Sequence, residues 1–189
     1  MHFDPELRID ALPGVYPPRE DSRLLLEAVR VEPGDAFLEI GTGTGFVALH
    51  AAKVARAVAT DVSPDSVRCA RRNAIANRLP LAVVRADLFG GIRGSFDVIA
   101  LNPPYLVEPI GGDWESRAWQ GGATGEDSIL RFLEGLAGHL HADGRAYLLV
   151  PERRERSLAV ANGDFRASCV ATLPLFFEKL LVLELTMPG

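Results

Sequence analysis

Short apolar runs alternate with longer stretches of helical periodicity along most of the chain. This alternation is typical of an α/β fold with a mostly parallel sheet, and it disfavours a sandwich or a helical bundle. The apolar runs predict seven strands, at residues 36–40, 57–60, 81–85, 96–101, 144–150, 167–173 and 179–186. The intervening periodicity predicts helices at residues 21–30, 46–54, 64–77, 125–141 and 152–161.

The connection between the last two predicted strands covers only residues 174–178. It is too short for a crossover helix, so these strands should pair antiparallel at the end of the parallel sheet. A length of 189 residues fits one domain with a sizeable core. We therefore expect a single domain over residues 1–189, in which residues 1–35 form an N-terminal extension over the ligand-binding side and residues 36–189 form the core.

Composition limits the partners and the compartment. The net charge of −5 disfavours tight binding to the phosphate backbone of a nucleic acid. No apolar stretch approaches eighteen residues and the N-terminus has no leader-like run, so we expect a cytoplasmic protein without a membrane span. Cys69 and Cys169 have neither disulfide nor metal-ligand spacing, and we expect two reduced, buried thiols and no metal site.

A glycine-rich turn joins the first core strand to the next helix, with Gly41, Gly43 and Gly45 at alternate positions. Without Cβ atoms the backbone can turn tightly and approach a ligand at the carboxyl end of the sheet. A dinucleotide-binding fingerprint would have its third glycine at position 46, which is Phe46, so NAD is the poorer fit. A turn with a purely structural role is the alternative.

Acidic residues lie at or just beyond the ends of the first three predicted strands. Asp61, twenty residues after Gly41, could accept hydrogen bonds from both hydroxyls of a ribose, or could simply cap a helix. Glu39 is expected to point its charge into the crevice, which suits the ammonium and sulfonium groups of S-adenosylmethionine and would repel a pyrophosphate. Asp87 could bind the adenine amino group while Leu88 forms an apolar wall, or Asp87 could be a turn-forming residue.

Asn102, Pro103, Pro104 and Tyr105 follow the fourth strand, beside the glycine-rich turn. An amide or exocyclic amino nitrogen is a poor nucleophile because its lone pair is delocalised. The Asn102 side-chain oxygen and a main-chain carbonyl held by the two prolines could accept its two N–H groups, while Tyr105 stacks on the planar group. This would turn the lone pair toward a methyl donor. An ordinary Asn-Pro turn is the alternative.

Residues 106–124 form the one long stretch without periodicity. Loops of this length in compact domains are usually functional or mobile. Trp114 and Trp119 lie within it and could line the mouth of a substrate site, although Trp119 could equally fill the core from a surface turn.

With these motifs in place, the chain resembles the HemK family of protein-(glutamine-N5) methyltransferases, and within it the short archaeal and eukaryotic branch. The matching segments are residues 15–22 (VYPPREDS), 39–45 (EIGTGTG), Asp61, Asp87 with Leu88, 102–105 (NPPY), 118–122 (AWQGG) and 178–183 (EKLLVL). The resemblance implies a class I S-adenosylmethionine-dependent methyltransferase (Rossmann-like) fold, with a mostly parallel seven-stranded sheet ending in an antiparallel hairpin. It also implies methylation of the glutamine in the Gly-Gly-Gln loop of a class I translation release factor.

The resemblance further implies roles for individual residues. Asn102 and Pro103 would hold the glutamine amide, with Pro104 and Tyr105 completing the catalytic motif. The residues implied to contact S-adenosylmethionine are Tyr16, Ser22, Glu39, Gly41, Gly43, Gly45, Asp61, Asp87, Leu88 and Asn102.

The family resemblance also bears on partners. Members of the short branch resemble subunits that work with a small zinc-binding activator, which covers an apolar sheet edge or helix face. Bacterial members usually carry an extra N-terminal helical domain that grips the release factor. Only about thirty-five residues precede the first strand here, so we expect that domain to be absent.

Two other functions fit parts of the pattern. A methyltransferase acting on adenine N6 or guanine N2 of RNA or DNA could use the same Asn-Pro-Pro-Tyr motif, but such enzymes usually have a basic surface or an added recognition domain. The basic clusters at residues 68–72 and 153–156 are better explained as solvated helix faces. A non-catalytic S-adenosylmethionine-binding subunit would not need residues 102–105.

Overall fold

The computed structural model describes residues 1–104, 126–176 and 178–189 of the protein. Within these residues the chain forms a seven-stranded sheet with helices packed on both faces. The strands are β1 (Ala36–Ile40), β2 (Arg56–Asp61), β3 (Leu81–Arg85), β4 (Phe96–Leu101), β5 (Leu140–Pro151), β6 (Arg166–Pro174) and β7 (Lys179–Thr186). The helices are α1 (Glu20–Ala28), α2 (Phe46–Ala51), α3 (Pro64–Asn77), α4 (Asp127–Leu136) and α5 (Glu155–Asp164).

The sheet order is β3-β2-β1-β4-β5-β7-β6. Strands β1 to β5 are parallel, whereas β7 lies antiparallel between β5 and β6. The predicted parallel sheet with an antiparallel pair at its end is confirmed. The strand order reverses at β1, between β2 and β4, which is where open α/β sheets bind ligands at the carboxyl ends of their strands.

The register brings the ends of three strands together. Ile40, the last residue of β1, is paired with Thr60 of β2 on one side and with Leu101 of β4 on the other. The residues that follow these strands, Gly41 after β1 and Asn102 after β4, therefore leave the sheet at the same edge. The fold thus gathers the predicted site residues around the point where the strand order reverses.

Side chains alternate between two cores on opposite faces of the sheet. Phe37 and Val98 pack with α1, α2 and α3, while Leu38 and Ile99 pack with α4 and α5. Strands covered on both faces are apolar at nearly every position, which explains their short continuous apolar runs. By the same alternation Glu39 points to the face covered by α1, α2 and α3.

Several element boundaries differ from the sequence prediction by a few residues, and two of these differences follow from the length of β5. The helix expected at residues 125–141 ends at Leu136, because Leu140 already pairs with β4 as the first residue of β5. The helix expected at residues 152–161 begins only at Glu155, because β5 continues through Pro151.

The two cysteines differ in exposure. Cys69 on α3 is buried, as expected, whereas Cys169 is exposed, and the expectation of a buried thiol there was wrong. Cys169 lies on β6, which is an edge strand of the sheet and has a register shift next to this residue. In the part of the chain that the structure describes, no helix has the length and apolar character needed to cross a bilayer.

Residues 1–19 precede α1 without regular secondary structure and run across α2 and α3. The Asp4 N–H donates to His50 Nε2 on α2 at 3.0 Å. The Asn73 side chain on α3 pairs with the main chain of Asp10, accepting from its N–H at 3.2 Å and donating to its carbonyl at 2.9 Å. Long-range hydrogen bonds therefore hold this segment against the core.

Asn73 links the N-terminal segment to the glycine-rich turn, because its Nδ2 also donates to the Thr44 carbonyl at 2.9 Å. We expect Asn73→Ala to lower the free energy of unfolding by roughly 1–3 kcal/mol, since main-chain groups would lose their partner in a buried site. Urea denaturation measures the change. The control is Asn162→Ala, which removes an exposed side chain bonded within its own helix. Equal effects of the two substitutions would contradict this account of Asn73.

Candidate functional site

The glycine-rich turn adopts a conformation that disfavours other residues. Gly41, Gly43 and Gly45 have φ values of +67°, +54° and +84°, in the left-handed region. At Gly45 space is limiting as well, because a Cβ would lie 3.2 Å from the Cβ of Ala70 on α3. The turn is therefore pressed against α3 and leaves its main chain at the carboxyl edge of the sheet.

Glu39 stabilises this turn through hydrogen bonds to Thr42 in the turn and to Ala48 in the following helix. Its side chain is only 4% exposed, and Oε2 accepts hydrogen bonds from Thr42 Oγ1 at 2.5 Å and from the Ala48 N–H at 2.9 Å. Gly45, the N-cap of α2, has no side chain, so the Glu39 carboxyl satisfies a first-turn donor in its place. The expectation of a charge open to the crevice is corrected: the carboxyl is buried under the turn.

Asp61 ties the end of β2 to the same turn. One oxygen accepts from the Gly43 N–H at 2.9 Å, and the other accepts from the Ser63 N–H at 2.9 Å. The carboxylate thus joins the glycine-rich turn to the start of the β2–α3 connection. Burial raises the pKa of Asp61 above its ordinary value. The helix-cap alternative does not apply, because the Ser63 side chain caps α3.

Asp87 and Leu88 lie beyond β3, in a tight turn. The Gly90 N–H donates to the Asp87 carbonyl at 2.9 Å, and Leu88 has a φ of +51°. The Asp87 carboxylate accepts from Arg131 Nη2 on α4 at 2.8 Å, and both side chains are more than half exposed. Asp87 is therefore a turn-forming residue in the structure. Its hydrogen bond to the adenine amino group stays a prediction.

Asn102 follows β4, and its side-chain amide uses its donor end but not its acceptor end in hydrogen bonding to other described residues. Nδ2 donates to Asp21 Oδ2 at 3.1 Å, whereas Oδ1 is buried and has no hydrogen-bond partner among the described residues. Buried polar atoms are rarely left in this state, so an unpaired acceptor indicates a place where a ligand N–H binds. Pro103 is buried beside it and Pro104 is half-buried.

Part of the predicted substrate site lies outside the described residues. This applies to Tyr105, the last residue of the Asn-Pro-Pro-Tyr motif, and to the whole of residues 106–124, with Trp114 and Trp119. Their predicted roles therefore stay predictions.

The segment leading into α1 completes the site. The Tyr16 carbonyl lies 4.0 Å from the position that a Cβ on Gly43 would occupy, and the Tyr16 hydroxyl donates to Asp21 Oδ1 at 3.4 Å. Burial, followed by the nearby Asp21 charge, raises the pKa of Tyr16 to about 12. Asp21 also accepts from the Ser22 N–H at 2.7 Å. Asp21 was not among the predicted site residues, although it lies between Tyr16 and Ser22, which were.

Comparison with known families decides the class of the protein. Residues 6–114 match the family model described as the methyltransferase small domain. The chain belongs to this family. It is 32% identical over 188 residues to the putative protein N5-glutamine methyltransferase MJ0928 of Methanocaldococcus jannaschii, with 94% of each chain covered. It is 30% identical to human methyltransferase HEMK2, covering 74% of this chain and 72% of that one.

Solved structures agree with this placement. The chain resembles Mtq2 of E. cuniculi, solved in the Mtq2-Trm112 complex responsible for methylation of the eRF1 termination factor, with a TM-score of 0.73, 26% identity and coverage of 93% and 99%. It also resembles the T. thermophilus 16S rRNA N2 G1207 methyltransferase RsmC, solved with AdoMet and guanosine, with a TM-score of 0.69, 23% identity and coverage of 94% and 46%. The second likeness concerns the fold alone.

These findings confirm the resemblance to the HemK family and the class I methyltransferase fold. The protein is therefore a methyltransferase by family membership. Membership of a methyltransferase family implies S-adenosylmethionine as the methyl donor.

Glu39 gives the site a pH dependence. Burial raises its pKa to about 8 from the ordinary 4.5, outweighing the hydrogen bonds from Thr42 and Ala48, which lower it. The folded protein therefore binds more protons than the unfolded chain between these values, and its stability falls as the pH rises through this window. We expect the free energy of unfolding of the wild type to fall relative to Glu39→Gln between about pH 5 and pH 8.

Urea denaturation at a series of pH values tests this dependence. The control is Glu20→Gln, which neutralises an exposed carboxyl in the first turn of α1. A difference between wild type and Glu39→Gln that stays constant with pH would show that Glu39 titrates as an ordinary exposed acid.

Proposed function

We propose that this protein transfers a methyl group from S-adenosylmethionine to the side-chain amide nitrogen of a glutamine, in the Gly-Gly-Gln loop of a class I translation release factor. The observation that carries the proposal is the buried, unpaired Oδ1 of Asn102 at the end of β4, among the described residues. The names of the relatives, which are glutamine methyltransferases, support the choice of substrate. Release factors act on the ribosome, so the proposal places the protein in the cytoplasm.

The residues around the sheet edge fit the proposed methyl donor. Gly41, Gly43 and Gly45 present main chain without Cβ atoms, and Asp61 is proposed to accept hydrogen bonds from ribose hydroxyls. Bound S-adenosylmethionine would supply a methyl group on a positive sulfonium, which is a good leaving group. The remaining residues proposed to contact it are Tyr16, Ser22, Asp87, Leu88 and Asn102, whereas Glu39 lies buried beneath the turn.

Glu39 would attract the positively charged methyl donor electrostatically across the glycine-rich turn, without contacting it. Its carboxyl is buried directly under Thr42 and the start of α2, and its pKa is raised mainly by this burial, with the nearby Asp61 charge adding to the shift. A cationic ligand on the turn would favour the ionised form. Binding of a positive ligand should therefore be accompanied by release of a proton from Glu39 near neutral pH.

The side-chain oxygen of Asn102 would accept a hydrogen bond from one of the two amide N–H groups of the substrate glutamine. The amide nitrogen of glutamine has a delocalised lone pair, and two acceptors on its N–H groups would orient that lone pair toward the methyl group. Asn102 Oδ1 is one acceptor, and a main-chain carbonyl of the Pro103-Pro104 pair is the other. The chain's contribution is to bind, orient and exclude water, because positioning supplies much of the rate in such a transfer.

A nucleobase substrate is the alternative that the same motif allows. Two of the three arginines on α3 are engaged with their own chain, since Arg68 pairs with Asp65 and Arg71 donates twice to the Val83 carbonyl. The net charge of −5 also disfavours tight binding to a phosphate backbone. The described residues thus favour the protein substrate.

Removal of the amide acceptor tests the function. Incubation of the wild type with S-adenosylmethionine and a release factor should add a single methyl group to the glutamine, which tandem mass spectrometry can locate. Asn102→Ala should lower kcat/KM by about a hundredfold or more, the order of loss seen when one positioned hydrogen bond is removed from an active site.

Two controls sharpen this test. Asn162→Ala, far from the site on α5, should leave the rate unchanged, and a release factor with glutamate in place of the glutamine should accept no methyl group. Methylation of RNA or DNA, with the release factor untouched, would overturn the proposed substrate.

A second protein is proposed to cover one edge of the sheet. The structural relative Mtq2 was solved with Trm112, and the HemK resemblance implies a small zinc-binding activator. β3 is an edge strand, and Ile75 on the adjacent α3 is 78% exposed, with Val84 on β3 also exposed. Exposed apolar side chains beside a free sheet edge are typical of a surface that a partner covers.

A charge at this edge tests the partner surface. Ile75→Glu should abolish co-purification with a co-expressed Trm112 protein, because it would bury a carboxylate in the interface. The matched control is Val170→Glu on the opposite edge strand β6, where the native side chain is also exposed, and this variant should still bind. Loss of binding in the β6 variant alone would place the partner at β6, and binding by both variants would contradict an edge interface.

A further inference from the structure

Asp21 is a buried acid that connects two distant parts of the site. It lies in the first turn of α1, 81 residues from Asn102, and only 5% of it is exposed. Oδ2 accepts from Asn102 Nδ2 at 3.1 Å, and Oδ1 accepts from the Ser22 N–H at 2.7 Å. The one charged group in contact with the Asn102 amide, among the described residues, is therefore this carboxylate.

This contact decides which way the Asn102 amide faces. An ionised carboxylate only accepts hydrogen bonds, whereas an amide has a donor end and an acceptor end. A flipped amide would place Asn102 Oδ1 against Asp21 Oδ2, with two negative oxygens at hydrogen-bond distance. The donor end must therefore face Asp21, and the acceptor end is left free for a ligand.

The carboxylate itself is held firmly. α1 is anchored by Leu25 and Leu26, which have no exposed surface, so its first turn cannot easily shift. The hydrogen bond from the Ser22 N–H and the positive end of the helix dipole both favour a negative charge at this position. A fixed helix end thus presents a fixed acceptor to Asn102.

We propose that Asp21 is a positioning residue for methyl transfer. It holds Asn102 Nδ2, so that Oδ1 points at the substrate amide, and its negative charge polarises the Asn102 amide and strengthens Oδ1 as an acceptor. Asp21 acts through Asn102 and does not contact the reacting atoms. This inference rests on the proposed function, since it assigns Asn102 Oδ1 to the substrate N–H.

Replacement by the isosteric amide separates positioning from packing. Asp21→Asn keeps the shape but offers Asn102 both a donor and an acceptor, so the Asn102 amide can turn either way. We expect kcat for glutamine methylation to fall by about tenfold to a hundredfold, the range that misplacement of one active-site group produces. The affinity for S-adenosylmethionine, measured by calorimetry, should fall by a smaller factor than kcat does, because the glycine-rich turn and Asp61 remain intact.

A matched control comes from the adjacent residue. Glu20→Gln removes an exposed charge from the same helix turn and should leave both kcat and cofactor affinity unchanged. An Asp21→Asn variant with wild-type kcat, or one whose loss of activity is fully accounted for by weaker cofactor binding, would overturn the positioning role.

A double-mutant cycle tests whether Asp21 acts through Asn102. In the Asn102→Ala background, Asp21→Asn should cause little further loss of kcat, because the group that it positions is already gone. A general structural defect would instead lower the rate by the same factor in both backgrounds. Multiplicative losses would therefore contradict the proposal.

A measurement without substrate keeps this inference separate from the proposed function. The side-chain Nδ2 resonances of Asn102, assigned by their loss in Asn102→Ala, should report a charged hydrogen bond in the wild type and shift strongly in Asp21→Asn but not in Glu20→Gln. If the wild type leaves the release factor unmethylated while this shift is present, the substrate proposal fails and the orienting contact stands. Absence of the shift overturns the inference whatever the substrate is.

Discussion

The parallel pairing of β1 with β2 and β4 is the constraint on which the site depends. Because Ile40 is in register with Thr60 and Leu101, the chain leaves three strands at one level of the sheet. The glycine-rich turn, Asp61 and Asn102 then meet without any long side chain having to reach across the molecule. A shift of either pairing by one residue would turn every side chain of that strand to the other face and separate these groups.

Buried polar groups at this edge stabilise the turn but leave it ready for a ligand. Glu39 caps α2 in place of Gly45, and Asp61 holds the Gly43 N–H, so the turn has its shape before a ligand arrives. Both carboxyls are largely kept out of water, and this burial raises both pKa values. A positively charged ligand would favour the ionised form of these buried carboxyls. The same residues that lower the stability of the free protein at high pH would therefore strengthen binding of such a ligand.

The sequence predicted the sheet and the main motifs because they depend on local pattern. Apolar periodicity marks strands that are buried on both faces, and glycine and proline mark the turns after them. Glu39 and Cys169 were misjudged because their environments are set by tertiary packing: the helix above β1 buries the acid, and an edge strand exposes the thiol. The long-range roles of Asn73 and Asp21 were missed because the partners concerned, Asp10 and Asn102, lie more than sixty residues away.

The N-terminal segment carries more of the site than its lack of regular structure suggests. Its main chain at Tyr16 lies against the glycine-rich turn, and the helix that follows presents Asp21 to Asn102. The core strands supply the turn and the Asn102 amide, and among the described residues it is Asp21 of α1 that holds the donor end of that amide. The segment before β1 therefore joins the cofactor side of the crevice to the substrate side. Substitutions that weaken its contacts should therefore disturb the orientation of the Asn102 amide as well as lower stability, because hydrogen bonds and buried apolar side chains such as Val15 and Leu25 hold this segment to the core.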